Sequence, residues 1–449
     1  MNTLAIKPFR KPATGQARVP GSKSISNRAL LLAFLSDTTV RIENLLHSED
    51  TDTLRAAFTA LGVDVTEDKD SSILVTGCAG NAPVFEVDLE VDNAGTVARF
   101  LPAALSLLRG GTYRLDGSAA MRKRPMAGLL DCLTSLGSKI QFQAAEGFFP
   151  FTLCTHGWTS DVITVDASRS SQILSALLIA ATRAPTAMTI RLAGDTVSRP
   201  FVEMTLRMIE QFGGDAAFDS STYRITPGLP GPSTGHYPVE PDATAASYFF
   251  ALPIATGGST SVGAFPKESL QGDLAFLSTL ASIGLETKNT DGFIHSAAMG
   301  ALQSADEDFN AFSDTFLTLA ALAPLLPETT RIRGIGHTRH QETDRISAMA
   351  QELLKLGQKV TEKEDSLTIK PNLEALRTRT ADSPITIETY NDHRVAMSFG
   401  ILGSHDLHGD GRPWIVIRNP KCCEKTFPNF FEELARLRSV ANATSTIND

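Results

Sequence analysis

The chain contains no apolar run with the length and purity of a membrane span, so we expect it not to cross a membrane. Its five cysteines form no Cys-x-x-Cys pair, which argues against a structural zinc site and favours reduced thiols. The first residues, MNTLAIKPFRKPATG, lack the apolar centre of a signal peptide. Together these features predict a cytoplasmic protein.

Basic charge is also scarce. The formal net charge is −9, and no long basic stripe appears, which argues against nucleic acid as the main partner. An anionic substrate would therefore have to be held by local groups of cations, because the whole chain does not attract it.

Common nucleotide-binding and hydrolase motifs are missing as well. The segment GSKS resembles the end of a P-loop, but the required earlier glycine is absent, and NAGT is not a dinucleotide fingerprint. The sequence has no HExxH and no GxSxG. A P-loop kinase and a Rossmann dehydrogenase are therefore excluded.

What the sequence does contain is a repeat of about 73 residues. Six helix-like runs begin with small polar residues and then become apolar, and their marker residues lie 72 to 78 positions apart. Five glycines at expected helix ends keep a spacing of 71 to 76, and hairpin-like segments follow them. The markers are Ser24, Thr96, Ser170, Asp242, Asp314 and Asp392, and the glycines are Gly62, Gly137, Gly213, Gly284 and Gly357.

The repeat predicts an α/β fold with two domains. Each unit reads strand–helix–strand–helix–strand–strand, but the last long helix, FPNFFEELARLRSV, has no strands after it. We therefore expect the N-terminal strand to complete the sixth unit. One domain would comprise residues 1–20 and 241–449, and the other 21–240, each with three repeats. The alternative is a generic α/β protein whose regular spacing arose by chance. This alternative is less favoured, because two independent sets of markers keep the same period.

Cations at several helix starts are unexpected, because a helix N-terminus carries partial positive charge. Lys23, Arg28, Arg99 and Arg394 lie at or inside such first turns. They are understandable if an anion binds between them and the helix N–H groups. Capping and surface ion pairs remain the alternative at each position. Further cations and carboxylates occur in MRKRPM, RHQETDRI, YNDHRVAM and CCEKTFPNF. We expect these groups to form one cationic cleft that binds substrates with several negative charges.

In combination, these segments resemble one known family over nearly the whole chain. SKSISNRALLLA, NAGT, RKRPM, SSQ, QETDR, NDHR and EKTFP match, in order and spacing, the 5-enolpyruvylshikimate-3-phosphate synthases. The resemblance implies two domains of three βαβαββ-type repeats, with helix N-termini facing the interdomain cleft in an inside-out α/β barrel. It also implies a monomer that needs neither a metal nor an organic cofactor.

The implied reaction belongs to the shikimate pathway of aromatic amino-acid biosynthesis. The enolpyruvyl group of phosphoenolpyruvate would pass to the 5-hydroxyl of shikimate 3-phosphate, and phosphate would leave. The phosphonate glyphosate would compete for the phosphoenolpyruvate site beside Gly95.

The resemblance assigns roles to individual residues. Asp314 would take the 5-hydroxyl proton, Glu342 would protonate the methylene carbon, and Lys23 would contact both substrates. The residues expected to bind shikimate 3-phosphate are Lys23, Ser24, Arg28, Ser170, Ser171, Gln172, Ser198, Asp314, His337 and Gln341. Those expected to bind phosphoenolpyruvate are Lys23, Asn93, Gly95, Arg124, Gln172, Arg345, Arg394 and Lys425.

Four positions depart from the family pattern. Gln341 stands where a Lys is usual, which removes one cation near both substrates. Phe201 stands where the family usually has an aromatic residue with a hydroxyl group, and Phe100 stands where many members have Pro. His337 replaces the usual Asn. These departures bear on activity and on sensitivity to glyphosate.

Other functions predict other features. UDP-N-acetylglucosamine enolpyruvyl transferases share the fold and chemistry but carry a reactive Cys in the loop that reads DGSAAMRKRPM here, where none occurs. A non-catalytic anion-binding protein would have no need of Asp314 and Glu342 among the cations. An RNA-end-processing enzyme on a related repeat would expose a basic face, which the net charge of −9 disfavours.

Overall fold

The computed structural model describes residues 2–168, 170–194 and 196–444. These residues form two compact units. Unit 1 comprises residues 1–20 and 241–449, and unit 2 comprises residues 21–240, in both cases as far as they are described. Across those described ranges, no helix is long and apolar enough to span a membrane.

The elements are numbered in chain order. The strands are β1 (Thr3–Ala5), β2 (Gln16–Ala17), β3 (Val40–Glu43), β4 (Val65–Glu67), β5 (Ile73–Val75), β6 (Glu86–Glu90), β7 (Arg109–Asp116), β8 (Lys139–Phe142), β9 (Phe151–His156), β10 (Val162–Val165), β11 (Met188–Leu192), β12 (Asp215–Asp219), β13 (Thr222–Thr226), β14 (His236–Pro238), β15 (Ser259–Val262), β16 (Leu285–Thr290), β17 (Phe293–Ala298), β18 (Asp306–Asp308), β19 (Thr330–Arg333), β20 (Lys359–Lys363), β21 (Ser366–Lys370), β22 (Ile385–Ile387) and β23 (Ile415–Arg418). The α-helices are α1 (Lys23–Leu35), α2 (Glu49–Ala60), α3 (Val97–Leu105), α4 (Ala127–Ser135), α5 (Ser171–Ala181), α6 (Arg199–Gln211), α7 (Ala243–Thr256), α8 (Phe276–Ile283), α9 (Phe316–Leu322), α10 (Arg345–Lys355), α11 (Leu373–Arg379), α12 (His393–Leu402) and α13 (Phe430–Thr444).

The described part of unit 2 contains three sheets with one shared pattern. In each sheet an outer strand pairs in parallel with the next strand, and a hairpin then adds in antiparallel fashion on the other side. The strand orders are β14-β3-β5-β4, β6-β7-β9-β8 and β10-β11-β13-β12. The last strand of the unit, β14, therefore supplies the outer strand of its first sheet.

Two of the three described sheets of unit 1 repeat this pattern, and the third has three strands, with one antiparallel strand in place of the hairpin. The three sheets have the orders β2-β15-β17-β16, β18-β19-β21-β20 and β22-β23-β1. The strand β1 pairs in antiparallel fashion with β23, with Thr3 opposite Arg418 and Ala5 opposite Val416. The N-terminal strand therefore lies in the same sheet as the last strands of the chain.

Three almost fully buried helices form the interior of each unit. In unit 2, α1, α3 and α5 contact one another, and α1 is buried from Ile25 to Leu35. In unit 1, α7, α9 and α12 do the same. These helices are mostly apolar and are buried on every side, so they must be surrounded by protein. The sheets and the outer helices provide that cover.

Glycine ends the outer helices as the sequence predicts. Gly62, Gly137, Gly213, Gly284 and Gly357 all have positive φ, between 76° and 111°. A side chain strains the backbone in this conformation, so glycine is favoured there. The hairpins expected after the first and last of these glycines are β4–β5 and β20–β21. The predicted α/β fold class is confirmed.

Candidate active site

The start of α10 places an arginine at the centre of several carboxylates in unit 1. The Asp344 side chain caps this helix, and Arg345 is its first residue, with 2% of its surface exposed. The Arg345 guanidinium donates through Nε to Asp392 at 2.8 Å and through Nη1 to Asp314 at 2.9 Å. It donates through Nη2 to Glu342, also at 2.8 Å. Burial opposes this charge, but the three carboxylates together raise the pKa of Arg345 above its usual value.

Two further cations join these residues. Arg394 donates through Nη2 to Asp314 Oδ2 at 2.7 Å, and the Nζ of Lys425 lies 3.1 Å from Glu342 Oε1. Asp314 and Glu342 therefore each contact two cations. Asp392 caps α12 by accepting from the Arg394 backbone N–H at 2.8 Å. We define the ion-pair cluster as Asp314, Glu342, Arg345, Asp392, Arg394 and Lys425.

Two of the departures from the family pattern adjoin the ion-pair cluster as neutral polar groups. The Gln341 side-chain oxygen accepts a hydrogen bond from Arg345 Nη1. The His337 Nε2 lies 2.8 Å from Ser313 Oγ. Burial lowers the pKa of His337, and the nearby Asp314 charge only partly offsets this. The imidazole is therefore mostly neutral at pH 7.

Two buried groups beside the cluster were missed by the sequence analysis. Asp273 lies in a short 3-10 helix, is 5% exposed and interacts with the charges of Asp314, Arg394 and Asp242. Burial, followed by repulsion from Asp314, raises its pKa to about 7. Tyr248 is fully buried near Arg394, and burial raises the pKa of its hydroxyl. Neither residue has a motif around it that could have indicated this position.

In unit 2, Arg124 lies directly against Gly95. A Cβ atom on residue 95 would be 2.7 Å from Arg124 Nη1, so this approach requires glycine. Arg99 is buried and donates to the backbone oxygens of Gly95 at 2.9 Å and Pro125 at 3.4 Å, which joins the two segments. The Nε and Nη1 atoms of Arg124 are buried and make no hydrogen bond within the described residues. Such donors are suited to an anion.

Arg28 is turned into the interior of unit 2. Its side chain donates to Thr205 Oγ1 at 2.8 Å, to the Ser24 backbone oxygen at 2.9 Å and to Ser175 Oγ at 3.3 Å. The guanidinium carbon lies 5.2 Å from the centre of the Phe100 ring. Burial lowers the pKa of Arg28 to about 9, so the group remains charged at neutral pH.

The other expected residues of unit 2 lie at or near helix N-termini. Lys23 begins α1, and its Nζ lies 4.0 Å from Asp50 Oδ2. Ser170 caps α5 by accepting from the Gln172 N–H at 3.3 Å, and Ser198 precedes α6 with a φ of 49°. The structure thus divides the expected residues between the units. Those in unit 2 are Lys23, Ser24, Arg28, Asn93, Gly95, Arg124, Ser170, Ser171, Gln172 and Ser198, and those in unit 1 are Asp314, His337, Gln341, Glu342, Arg345, Arg394 and Lys425.

Residues 2–168, 170–194 and 196–444 contain no group of three or more His, Cys, Asp or Glu arranged to hold a metal ion. The groups that are gathered are cations and carboxylates. Chemically, this arrangement can bind anions and move protons.

Comparisons with known proteins give one consistent result. The EPSP synthase (3-phosphoshikimate 1-carboxyvinyltransferase) family model matches residues 9–434. A relative from Opitutus terrae named 3-phosphoshikimate 1-carboxyvinyltransferase is 47% identical over 444 residues, which cover 97% of each chain. One of the same name from Trichormus variabilis is 38% identical over 439 residues, covering 97% of this chain and 99% of the other. The structure of an EPSP synthase from Acinetobacter baumannii aligns with a TM-score of 0.78 at 24% identity, covering 97% of this chain and 98% of the other, which shows a shared fold. The chain therefore belongs to the EPSP synthase family.

Proposed function

We propose that this chain transfers the enolpyruvyl group of phosphoenolpyruvate to the 5-hydroxyl of shikimate 3-phosphate and releases phosphate. The observation that carries the proposal is the ion-pair cluster in a member of the EPSP synthase family. Two of its carboxylates, Asp314 and Glu342, are each bound to two cations. Proton-transfer groups and anion-binding groups are therefore assembled in one place.

The cations suit phosphoenolpyruvate, which carries a phosphate and a carboxylate. Arg345, Arg394 and Lys425 supply positive charge within the ion-pair cluster. Arg124 offers buried N–H groups that have no protein acceptor among the described residues. Several fixed cations are needed because anionic groups repel one another strongly in a poorly hydrated site. The full proposed set is Lys23, Asn93, Gly95, Arg124, Gln172, Arg345, Arg394 and Lys425.

Shikimate 3-phosphate would be held largely by helix N-termini of unit 2, whose N–H groups and hydroxyls favour phosphate. Arg28 makes four hydrogen bonds with protein acceptors, so one of its five N–H groups remains for the ligand. The full proposed set is Lys23, Ser24, Arg28, Ser170, Ser171, Gln172, Ser198, Asp314, His337 and Gln341.

Substrate binding would itself adjust the proton-transfer groups. Anionic substrates compete with Asp314 and Glu342 for the same cations, and a carboxylate that loses a neighbouring cation becomes more basic. Asp314 would then take the 5-hydroxyl proton as the hydroxyl oxygen bonds to C2 of phosphoenolpyruvate. Glu342, in its acid form, would protonate the methylene carbon to give a tetrahedral intermediate. Phosphate would then leave with the proton that Asp314 took up, and one methyl proton would return to Glu342, which forms the enol ether of the product and restores both carboxyl groups.

We also propose how the two units are arranged, and the oligomeric state and cellular location in which the protein acts. The two units would be the family's two domains of three repeats, arranged as an inside-out α/β barrel whose helix N-termini face an interdomain cleft. The protein would act as a monomer in the cytoplasm, and its five free thiols suit a reducing compartment. Light scattering would test the monomeric state, and cell fractionation would test the location.

Phosphate release from phosphoenolpyruvate tests the reaction. We expect release with shikimate 3-phosphate and none with UDP-N-acetylglucosamine, and a product mass that includes the enolpyruvyl group. Glu342→Gln should abolish release, whereas the exposed Asp306→Asn, which alters only surface ion pairs with Arg331 and Arg333, should not. Release with the sugar nucleotide would support the related transferase. Binding of both substrates without release would support a non-catalytic anion-binding protein.

A further inference from the structure

Asp273 is a carboxylic acid in the interior of unit 1 that, unlike Asp314, makes no ion pair with any described residue. Its 3-10 helix, Gly272–Ala275, packs against α7 and against the 3-10 turn that carries Asp314. The residue is 5% exposed, and its Oδ1 atom is buried without a hydrogen bond in the described parts of the chain. Asp314, by contrast, is bound to two arginines. Of the two acids, Asp273 is therefore the one that gains most from being neutral.

The groups that face Asp273 come from three elements. The start of α7 contributes Asp242 and Thr244, the turn before α9 contributes Asp314, and α12 contributes Arg394. The following helix, α8, reads FLSTLASI and has no titratable side chain. Asp314 and Asp242 repel a negative charge on Asp273, whereas Arg394 and a hydrogen bond with the Thr244 side chain stabilise it. Burial is the largest influence, and together with the two acids it raises the pKa to about 7.

We infer that Asp273 is a positioning residue that takes up a proton from solvent when the anionic substrate binds, which leaves Arg394 available to that substrate. The inference rests on the proposed function, in which Arg394 binds phosphoenolpyruvate. Ionised Asp273 competes with the substrate for Arg394 and repels it. The neighbouring Tyr248 is a buried phenol whose pKa is raised by burial, so it adds no competing charge. The proton returns to solvent when the ligand leaves.

The direction of the pH dependence follows from these charges. A bound anion stabilises the protonated form of Asp273 and so raises its pKa further. At pH values below about 7 the free protein already carries the proton, and anion binding has its full strength. At higher pH the proton must be taken up from solvent, and affinity falls by up to about tenfold per pH unit.

The test measures KM for phosphoenolpyruvate between pH 6 and pH 9, at saturating shikimate 3-phosphate, in the wild type, Asp273→Asn and Asp242→Asn. The wild type should show a rise in KM above neutral pH, up to about thirtyfold by pH 8.5. Asp273→Asn resembles the protonated acid and should remove this rise. Asp242→Asn removes a repelling charge, lowers the pKa of Asp273 and should move the rise to lower pH. Ionisation of the substrate phosphate is common to all three proteins and cancels in the comparison.

A merely structural Asp273 would change stability or kcat and leave the pH dependence of KM as it was. Retention of the wild-type rise in Asp273→Asn would overturn the inference, and turnover in the same assay would still support the proposed function. If Asp273→Asn fails to fold, Asp242→Asn provides the test. The inference is overturned if the pH midpoint of the rise in KM is the same in Asp242→Asn as in the wild type. If the wild type shows no turnover, the proposed function fails. Calorimetry with inorganic phosphate, in two buffers of different ionisation enthalpy, then shows whether binding takes up a proton that the variant does not.

Discussion

At the scale of single residues, the carboxylate of Asp314 is held at both oxygens. Arg345 binds Oδ1 at 2.9 Å, and Arg394 binds Oδ2 at 2.7 Å, which fixes the orientation of the group. Asp314→Asn keeps the shape and one acceptor oxygen but loses basicity. We expect kcat to fall by about 10²–10⁴-fold, while the Kd of shikimate 3-phosphate from calorimetry changes much less. Near-normal turnover would remove Asp314 from the role of base.

The Gln341 side-chain oxygen accepts a hydrogen bond from Arg345 Nη1, so we expect it to compete with an anion for this guanidinium. Gln341→Lys removes this acceptor and adds a cation. We expect glyphosate to inhibit the wild type in competition with phosphoenolpyruvate. The added charge-assisted contact should tighten both ligands by about tenfold to a hundredfold, or roughly 1.5–3 kcal/mol. Inhibition constants and KM values measured side by side test this.

A matched variant separates the two causes. Gln341→Met has a similar length but neither the acceptor nor the charge. If it tightens both ligands as much as Gln341→Lys does, release of Arg345 is the cause, and the added charge contributes nothing. If glyphosate fails even at millimolar concentration while phosphoenolpyruvate binds normally, the expectation that glyphosate competes for the site beside Gly95 is wrong.

Whether the contacts of a charged residue can be predicted from the sequence depends on how far away in the chain its hydrogen-bonding partners lie. Glu342 and Asp392 sit inside the same short motifs as the arginines that they accompany, so the sequence could point to them. Arg28 was interpreted as the charged rim of an anion site, yet its acceptors Thr205 and Ser175 lie 177 and 147 positions away. Burial by such distant segments is not encoded in a local run of residues. The same applies to Asp273, which only packing brings beside Asp314.

At the scale of elements, Gly213 at the end of α6 has two separable roles, and Gly235 in the turn before β14 is a comparison position outside any helix end. Gly213 and Gly235 have similar φ values, 76° and 71°. A Cβ on Gly213 would lie 2.7 Å from Pro230 Cγ, whereas nothing lies within 4 Å of one on Gly235. Gly235→Ala should therefore cost only the backbone strain, about 1–2 kcal/mol. Gly213→Ala should cost about 1–3 kcal/mol more, because the rigid proline ring must move.

Urea unfolding of both variants measures this difference. The contrast depends only on the space around the added methyl group, since both substitutions stiffen the unfolded chain equally. Equal losses of free energy at the two positions would mean that Pro230 yields without cost and that strain alone explains the helix end.

Element boundaries were less predictable than element types. The run that starts at Ser22 was predicted to be helical, and Ser22 caps α1, which starts at Lys23. Asp314 lies in a 3-10 turn, Ser313–Thr315, before α9 begins. Hydrophobic periodicity locates the apolar body of a helix, whereas its first turn depends on which side chain captures the first N–H groups.

At the scale of the whole molecule, one four-stranded sheet pattern occurs five times in the described chain and a three-stranded sheet takes the sixth place, and a repeat in the sequence was enough to indicate this arrangement. The outer strands that close two of the sheets were not predictable. The strand β2 has only two residues and β14 only three, too few for an alternating pattern. Their places are fixed by pairing with β15 and β3, which lie far away in sequence.

The two units should differ in how they tolerate division of the chain. Unit 2 is one continuous segment with its own buried helices, so we expect the fragment 21–240 to unfold cooperatively on heating. Unit 1 needs residues 1–20, because these supply β1 and β2 to its sheets and bury Ile6 and Phe9, each worth about 1.5–3 kcal/mol. The fragment 241–449 should therefore lack a cooperative transition. The chain has two tryptophans, the buried Trp158 in unit 2 and Trp414 in unit 1, so fluorescence reports on each fragment separately.

A rearranged chain tests whether the N-terminal segment is the missing part. Joining residues 241–449 to residues 1–20 through a Gly/Ser linker should restore a cooperative transition, because the segment can reach its sheet partners in either order. Asn2 then again accepts a hydrogen bond from the Asn419 N–H, seen at 2.8 Å in the intact chain. The same joined chain with Phe9→Asp keeps the length and the linker but places a charge in the core, and it should not fold. Cooperative unfolding of 241–449 alone, or equal stability of the joined chain and its Phe9→Asp variant, would show that unit 1 does not depend on this segment.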